Sequence, residues 1–451
     1  MAQKSSNFKK RIFSKLFLGH LTYSDNEFHV GDEVVTHVDI LGTVVSLALK
    51  GDSTLFDSRN QFDEEMKMDT KESEMISSIR QKARQSGQAF RVKRRKELHA
   101  SHRHALDKVA EELQIPDIDE VYKLSIQLKK KKSLHILHKL RMGLSVGGNS
   151  ITVFVSTDGA LYALVSCFSG NSAEVKREAM NVFINLGLGT PEQCLDLYKR
   201  FSVYLMIHMN GRCAESQDAV AWCLGNLCLN NEELCYEMKL LGVDGHLTEL
   251  LGCHVCRTVQ SASYALTHYY ATVPDMLQYV RVDNIARKAI DGLERHDDGV
   301  DEIAWLMFVL SCDQLGCEYL LCLGVIPAAM GSLQKLINQQ NLLVSPTTGL
   351  LRVLLNCLGA FPRSAHQVCN RSEQFVSICS ALLYSSYPHL RRETLQFIAN
   401  IINGACQSES GQRFVEEHNL RQKLEAAVRS ALAANFTLDS PTISTNFSEG
   451  M

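Results

Sequence analysis

Short apolar segments with helical spacing recur along most of the chain, and short polar stretches separate them. Alignment of these segments places Leu161, Val203, Asp244, Ile285 and Ile326 at equivalent positions, spaced 42, 41, 41 and 41 residues apart. A unit of this length is too small to bury its own apolar face, so such units stack on their neighbours. The pattern therefore predicts an all-α array of helical repeats.

A second series of positions follows the first at a nearly constant offset of 24, 23, 24, 24 and then 30 residues. The second-series markers are Asn185, Asn226, His268, Val309, Asn356 and Asn400. The longer offset coincides with the polar, Pro-containing stretch 338–348, which predicts a longer connection between the second and third helices of the fifth repeat. The period is typical of armadillo-type repeats, and the predicted fold is an all-α, right-handed superhelical solenoid whose third helices line a concave face.

The period and local composition divide the chain into segments. A polar tail after the array is expected to be disordered because it offers few apolar residues to bury. The predicted segments are 1–57, strands; 58–78, an acidic linker; 79–106, a basic helix; 107–157, a partial repeat that caps the array; 158–434, armadillo repeats; and 435–451, the tail.

The N-terminal segment has a different pattern. Residues 33–50 are rich in alternating and β-branched residues, and residues 51–53, Gly-Asp-Ser, are typical of a hairpin turn. The stretch 38–45, Val-Asp-Ile-Leu-Gly-Thr-Val-Val, resembles the opening strands of the OB-fold in the small subunit of the telomere-capping CST complex. The resemblance implies a small, incomplete OB-like β segment.

Composition agrees with the helical prediction, since aromatic residues make up only 7% of the 451 residues and there are only 8 prolines. The formal net charge of −3 conceals a local asymmetry. Residues 63–74 contain six acidic side chains, whereas residues 80–96 contain eight Lys or Arg and no acid. Charge is therefore a property of segments here. The run Lys129–Lys132 lies on a helical pattern, and we expect it to be a solvated face.

The 15 cysteines lie between Cys167 and Cys406, and their odd number is typical of reduced intracellular thiols. Cys253 and Cys256 form a Cys-x-x-Cys motif, but no second pair completes four zinc ligands, so we expect no metal site. The start of the chain lacks the pattern of a signal peptide, and no apolar run reaches about 18 residues, so we expect a soluble protein without a membrane partner.

One predicted third helix carries Asp218, Trp222, Asn226 and Asn230 at intervals of four residues, which places them on one stripe. An Asn amide can both donate to and accept from a peptide backbone, and an indole face can pack a Lys stem. The alternative is that Trp222 is a core residue and Asn226 bonds a neighbouring helix. Both interpretations stay open.

The stretch 221–227, Ala-Trp-Cys-Leu-Gly-Asn-Leu, resembles the Trp-x-x-x-Asn signature of the importin-alpha family, and the resemblance spans roughly residues 133–430. It implies a groove that holds a basic cargo peptide, a nuclear-localisation signal. At the Trp place of the other repeats stand Asn181, Tyr264, Trp305, Arg352 and Gln396, so only one full Trp–Asn clamp remains. The cargo-groove candidates are Trp222, Asn226, Asn185, Asp218, Trp305, Asn356 and Asn400.

The basic segment 79–95 resembles part of the importin-beta-binding domain that precedes the array in the same family. The candidates to bind importin-beta are Arg80, Lys82, Arg84, Arg91, Lys93, Arg94 and Arg95. By charge alone this segment could also be a solvated helix, a nuclear-localisation signal or a nucleic-acid patch. The same order of segments occurs in the importin-alpha-like family called transmembrane and coiled-coil domain-containing protein six.

These observations favour a nuclear-import adaptor that binds importin-beta and a cargo protein, working in cytoplasm and nucleus. One alternative is an armadillo scaffold with a private protein partner. A second is a telomeric, single-stranded-DNA function through the N-terminal strands, although we consider nucleic acid an unlikely partner. We expect no enzyme and no cofactor, because we find no phosphate-binding glycine loop, metal-ligand set or nucleophile-elbow motif.

Overall fold

The computed structural model describes residues 21–24, 27–30 and 33–35, and then residues 115–417 apart from 169, 230, 275–276, 278–280, 297–299 and 406–408, with scattered positions up to Arg429. The predicted acidic linker, the basic segment 79–106 and the tail 435–451 lie outside the described residues. Contacts within the chain separate the array into two units that meet in sequence at Cys312 and Asp313.

The N-terminal unit, as far as it is described, is built from helices, in agreement with the predicted class. Its helices are α1 (Ile118–Lys130), α2 (Leu134–Leu144), α3 (Asn149–Ser156), α4 (Ala160–Phe168), α5 (Ala173–Leu186), α6 (Pro191–Met209), α7 (Ala214–Leu227), α8 (Glu232–Leu240), α9 (Val243–Leu250), α10 (Cys256–Thr272), α11 (Val282–Arg295) and α12 (Val300–Leu310). Helices α2, α5, α7, α10 and α12 pack on one another in that order. They are the third helices of successive repeats.

The C-terminal unit repeats this arrangement. Its described helices are α13 (Gln314–Cys322), α14 (Val325–Ile337), α15 (Val344–Ala360), α16 (Ala365–Cys369), α17 (Ser372–Leu383), α18 (Pro388–Ala405) and α19 (Glu409–Glu417), with a 3-10 turn at Pro362–Ser364. The third helices α15 and α18 pack together, as do the second helices α14 and α17. The predicted second-series markers all lie on third helices, which confirms the repeat register.

Glycine separates the first and second helices in three repeats. Gly159, Gly242 and Gly324 have φ angles of 72°, 65° and 85°, a left-handed conformation that other residues adopt only at a cost of about 1–2 kcal/mol. Each stands two residues before its first-series marker. At this corner the chain turns by 86° between α3 and α4 and by 80° between α13 and α14.

The second repeat lacks this corner. Phe201 occupies the place of the glycine, and no Gly or Pro interrupts the sequence after Pro191. The first and second helices therefore fuse into the single 19-residue helix α6, which starts with a capping box between Thr190 and Gln193. This repeat therefore has two helices, one fewer than the third-helix register implies.

The insertion in the fifth repeat also differs from its prediction. We expected a longer connection, but residues 338–343 are only one residue longer than residues 251–255, the corresponding connection after α9. Most of the added residues extend the second helix, since α14 has 13 residues and α9 has 8. Apolar Leu333 and Leu336 are buried, so the extension continues the buried face of α14.

The core of the N-terminal unit is apolar and partly aromatic. Phe183 and Phe201 lie 4.3 Å apart between ring centroids, and Phe168 meets Phe201 edge to face at 5.7 Å. These rings belong to α4, α5 and α6, so they join the second and third helices of adjacent repeats. Such pairs stabilise the stack beyond the burial of their area.

Three short strands, β1 (Leu21–Ser24), β2 (Glu27–Val30) and β3 (Glu33–Val35), form an antiparallel sheet in the order β1-β2-β3. Leu21 pairs with Val30, and Phe28 pairs with Val35. The strand residues predicted after Val35 lie outside the described part of the chain. A sequential three-stranded sheet is common to many folds, so the OB-like interpretation stays a prediction.

Candidate functional site

The marker positions of the third helices carry asparagines with a common contact. In three repeats the Asn side chain donates through Nδ2 to a backbone carbonyl on the preceding third helix. The bonds are Asn185 to Arg141 O at 2.8 Å, Asn226 to Ile184 O at 3.4 Å and Asn400 to Leu355 O at 3.4 Å. Each amide thus ties one repeat to the previous one and has its orientation fixed. We call the surface that the third helices form at the marker positions Asn185, Asn226, Asn356 and Asn400 the third-helix face of each unit.

Asn185 differs from the other two amides in its acceptor, because Tyr264 bonds the Oδ1 of Asn226 and Gln396 bonds the Oδ1 of Asn400. The Asn185 side chain is half-buried on α5, and no described residue bonds its Oδ1. A fixed carboxamide with a free carbonyl oxygen can accept a hydrogen bond from the N–H of an extended peptide. Asn356 is also half-buried, on α15, at the corresponding position of the C-terminal unit.

A polar network surrounds Asn185. The Arg141 Nε donates to Glu178 Oε1 at 2.6 Å, and the Asn181 Nδ2 donates to Glu178 Oε2 at 3.2 Å. The Nδ1 of His138 lies 3.3 Å from the same Glu178 Oε1. The side chains of Arg141 and Glu178 are only 10% and 13% exposed, so this charge pair is largely shielded from solvent.

The Trp222–Asn226 pair is engaged by the next repeat. Tyr264 on α10 stacks on the Trp222 ring at 4.5 Å with an interplanar angle of 13°. The Tyr264 hydroxyl donates to Asn226 Oδ1 at 3.0 Å, and Asn226 is only 2% exposed. The alternative interpretation predicted that Asn226 bonds a neighbouring helix, and its bond to Ile184 O is such a bond. Trp222, which the same alternative placed in the core, is half-buried.

Asp218 is held in the same way by α10. Its Oδ1 accepts from the Ser261 hydroxyl at 2.5 Å, and its Oδ2 pairs with Arg257 Nε at 2.7 Å. The Asp218 side chain is 12% exposed and that of Arg257 is 65% exposed. The carboxylate therefore sits at the edge of the face with its charge balanced by an arginine from the next repeat.

Trp305 lies inside the fold. It is 3% exposed and meets Phe308 edge to face at 5.6 Å. The sequence held a signal for this burial, because residues 303–310 form an uninterrupted apolar run. A helix that is apolar on all sides is buried on all sides.

Two glutamates stand at the same place, seven residues before the markers Asn185 and Asn400, and each pairs with an arginine of the preceding third helix. In the C-terminal unit Arg352 donates from Nε and Nη2 to Glu393 Oε1 at 2.9 and 2.7 Å, with side chains 14% and 12% exposed. In the N-terminal unit Glu178 pairs with Arg141, which lies one helical turn further along its helix than Arg352 does, since the separations in sequence are 37 and 41 residues. The sequence placed Tyr264 at the Trp position but did not predict its contacts, and it singled out neither Glu178 nor Glu393, although their common place seven residues before the marker was available as a signal.

His389 lies beside this C-terminal pair. Its Nε2 is 3.2 Å from the Thr348 hydroxyl oxygen. Burial lowers the pKa of His389 below its ordinary value; the Glu393 charge opposes this, while Arg352 and Arg392 add to it. The imidazole is therefore mainly neutral at pH 7.

The importin-beta candidates Arg80, Lys82, Arg84, Arg91, Lys93, Arg94 and Arg95 all lie outside the described residues. Within the described ranges, no cluster of three or more His, Cys, Asp or Glu side chains could hold a metal ion.

Among the described residues, no single helix is long and apolar enough to cross a bilayer. Two bent pairs, α3 with α4 and α13 with α14, reach that length and composition only in combination.

No protein-family model matches the chain. Importin subunit alpha-9 of Arabidopsis thaliana is 26% identical to it over 262 residues, which cover 55% of this chain and 49% of that protein. The chain thus spans about half the length of the curated relative it matches.

Among solved structures, an engineered protein from the Northeast Structural Genomics Consortium has a TM-score of 0.51 at 16% identity, over 72% of this chain and 87% of its own. A designed armadillo repeat protein has a TM-score of 0.46 at 18% identity, over 53% of this chain and 100% of its own. The stacked third helices and the relation to importin-alpha assign an armadillo-type solenoid to this chain, and the engineered protein agrees with that fold.

Proposed function

We propose that this protein is an adaptor of nuclear import that works in cytoplasm and nucleus. In this proposal the third-helix face holds an extended, basic cargo peptide, and the basic segment 79–95 engages importin-beta. The sequence relation to an importin alpha subunit supports the transport role. The order of a basic segment followed by armadillo repeats supports it as well.

The observation that carries the peptide-binding half is the geometry of Asn185. Its Nδ2 is fixed on the Arg141 carbonyl at 2.8 Å, and no described residue bonds its Oδ1. An amide held in this way needs no reorganisation before it accepts a peptide N–H, so little side-chain entropy is lost on binding. The half-buried Trp222 offers a π surface on the same unit to a Lys or Arg stem.

The peptide half is tested by fluorescence anisotropy of the full chain with a labelled octapeptide of alternating Lys and Arg. Loss of one hydrogen bond of about 1 kcal/mol predicts a roughly fivefold weaker Kd for Asn185→Ala. Asn210→Ala is the matched control, because Asn210 is exposed at the end of α6, away from the marker positions. Equal Kd values for wild type and Asn185→Ala would contradict the proposal.

The import half is tested by pull-down of importin-beta with the full chain. We expect binding to fall at least tenfold when Arg91, Lys93, Arg94 and Arg95 are all replaced by Ala, and to weaken with salt. Replacement of Lys129–Lys132 by Ala removes the same number of charges from an exposed run and is the control. Unchanged binding in the first variant, or an equal loss of binding in both variants, would argue against importin-beta as a partner.

A scaffold without a transport role is the second candidate function. One observation favours it: both ends of the Asn226 amide are used within the fold, by Tyr264 and by Ile184. This function predicts that the octapeptide and a Glu-Asp octapeptide of equal length bind equally weakly. It also predicts that binding of the true partner is unaffected by Trp222→Ala.

A further inference from the structure

Tyr264 is built into the only full Trp–Asn pair of the sequence. It stands at the Trp place of the next third helix, so the repeat register brings it beside Trp222 and Asn226. Gly225 provides the room, because a Cβ at this position would lie 2.5 Å from Tyr264 Cδ1. The Tyr264 ring is 3% exposed, and His268 packs against its edge at 4.4 Å.

The aromatic stack closes the space in which a peptide side chain would lie. A methylene stem needs about 3.5–4.0 Å to the carbon atoms on each side, so two rings must stand roughly 7–8 Å apart to hold one between them. The centroids of Trp222 and Tyr264 are 4.5 Å apart. A Lys or Arg stem can therefore lie between these two rings only after they separate.

The hydroxyl of Tyr264 occupies the side-chain oxygen of Asn226, the second residue of the pair. It donates to Asn226 Oδ1 at 3.0 Å, the acceptor that a peptide N–H would use. Since Asn226 is 2% exposed, its carbonyl oxygen has no alternative access to solvent. One side chain thus fills both the aromatic slot and the amide of this pair.

We propose that Tyr264 is an internal occupant of the Trp222–Asn226 clamp and that a basic peptide binds there only by displacing it. The inference rests on the proposed peptide-binding function and concerns its regulation. Tyr264 lowers the affinity of this repeat for the peptide, while the Asn185 amide stays open. The N-terminal unit therefore binds the peptide mainly through Asn185 until Tyr264 moves.

The test measures binding of the labelled Lys-Arg octapeptide to the full chain carrying Tyr264→Phe or Tyr264→Ala. Phe keeps the stack but removes the donor to Asn226, which predicts a roughly fivefold tighter Kd from one hydrogen bond. Ala also opens the slot, and the gain should exceed that of Phe. Tyr269→Phe is the control, because Tyr269 is the next buried tyrosine along α10 and its hydroxyl has no partner among the described residues.

A second measurement covers the case in which Tyr264→Ala fails to fold. Trp222 and Trp305 are the two tryptophans of the chain, so a Trp305→Phe background reports Trp222 fluorescence alone. Two proteins are compared, Trp305→Phe alone and Trp305→Phe combined with Tyr264→Phe. The octapeptide concentration that changes the acrylamide quenching of Trp222 should be lower in the combined variant. Folding of each variant is checked by its circular dichroism.

The outcomes separate the two proposals. Unchanged or weaker binding in both Tyr264 variants, together with weaker binding in Asn185→Ala, would overturn the role of Tyr264 and leave peptide binding intact. No binding by wild type or by either Tyr264 variant would overturn both. Tighter binding in Tyr264→Phe, with Tyr269→Phe unchanged, supports the internal occupant.

Discussion

Arg141 and Arg352 pair with Glu178 and Glu393 in two different units, and in each pair the arginine precedes the glutamate by one repeat. The pairs are mostly buried, so each charge depends on its partner for compensation. Arg352 stands where an importin-alpha-like groove is expected to present a Trp, and it joins adjacent third helices instead of offering an indole surface there. Arg141 lies one helical turn further along its own helix.

Breaking one of these pairs should destabilise the protein. Arg352→Met leaves Glu393 as a largely buried carboxylate without its arginine, which should cost about 3 kcal/mol of unfolding free energy. Thermal unfolding of the full chain measures the effect as a lower Tm. Arg200→Met is the control, since Arg200 and Asp196 form an exposed pair with side chains 42% and 46% exposed, and its loss should cost below about 0.5 kcal/mol.

A double variant distinguishes pairing from lost packing. Arg352→Met combined with Glu393→Leu replaces both charges with apolar groups and should recover most of the Tm. A double variant as unstable as Arg352→Met alone would mean that the arginine stem, and not the pairing, stabilises the stack.

Sequence analysis identified Trp222 and Asn226 as a pair, but their occupation by Tyr264 depends on a contact across 38 residues. The repeat register places Tyr264 level with Trp222 along the third helices, whereas the distance between α7 and α10 determines that the two rings stack. That distance follows from side-chain packing, including the absence of a Cβ at Gly225. Periodicity carries no information about such packing.

At the scale of elements, the corner between first and second helices follows a simple sequence rule in three repeats. Gly159, Gly242 and Gly324 each stand two residues before a first-series marker, and each has a positive φ. Where Phe201 occupies that place, α6 continues without interruption. The period predicted the second and third helices well, but the break between first and second helices required attention to one glycine.

Two glycines in the same stretch should respond to alanine in opposite ways. Gly324→Ala places a Cβ on a residue with φ of 85° and should destabilise by about 1–2 kcal/mol. Gly331 lies inside α14 with nothing near its missing Cβ, so Gly331→Ala should stabilise by up to about 1 kcal/mol. Chemical denaturation of the full chain measures both. A stabilising Gly324→Ala would refute the role of the left-handed corner.

At the scale of the whole molecule, contacts gather into two units that divide at Cys312. In a repeat array each repeat contacts its neighbours, so stability is distributed locally along the chain. The sequence predicted the array but not this division, because the first-series spacing of 41 residues continues across Cys312.

Local stability makes the effect of a single substitution local. Gly324→Ala should speed amide hydrogen exchange in α13, α14 and α15 by about fivefold or more, which corresponds to at least about 1 kcal/mol. Exchange in α5 and α7 of the N-terminal unit should be unchanged. Hydrogen-exchange mass spectrometry of the full chain resolves these regions. Equal acceleration in both units would indicate one cooperative structure instead.

Among the repeats whose first and second helices are described, only the second has them fused into one uninterrupted helix, α6. A ligand that spans several similar repeats can shift by one period and find nearly equivalent contacts, so its position along the array is degenerate. Where other repeats turn by 80° or 86°, the fused helix offers a continuous ridge of 19 residues. A partner that recognises this ridge can occupy one position only. Because Phe201 stands at the place of the corner glycine, a partner that binds α6 has a defined position along the periodic array.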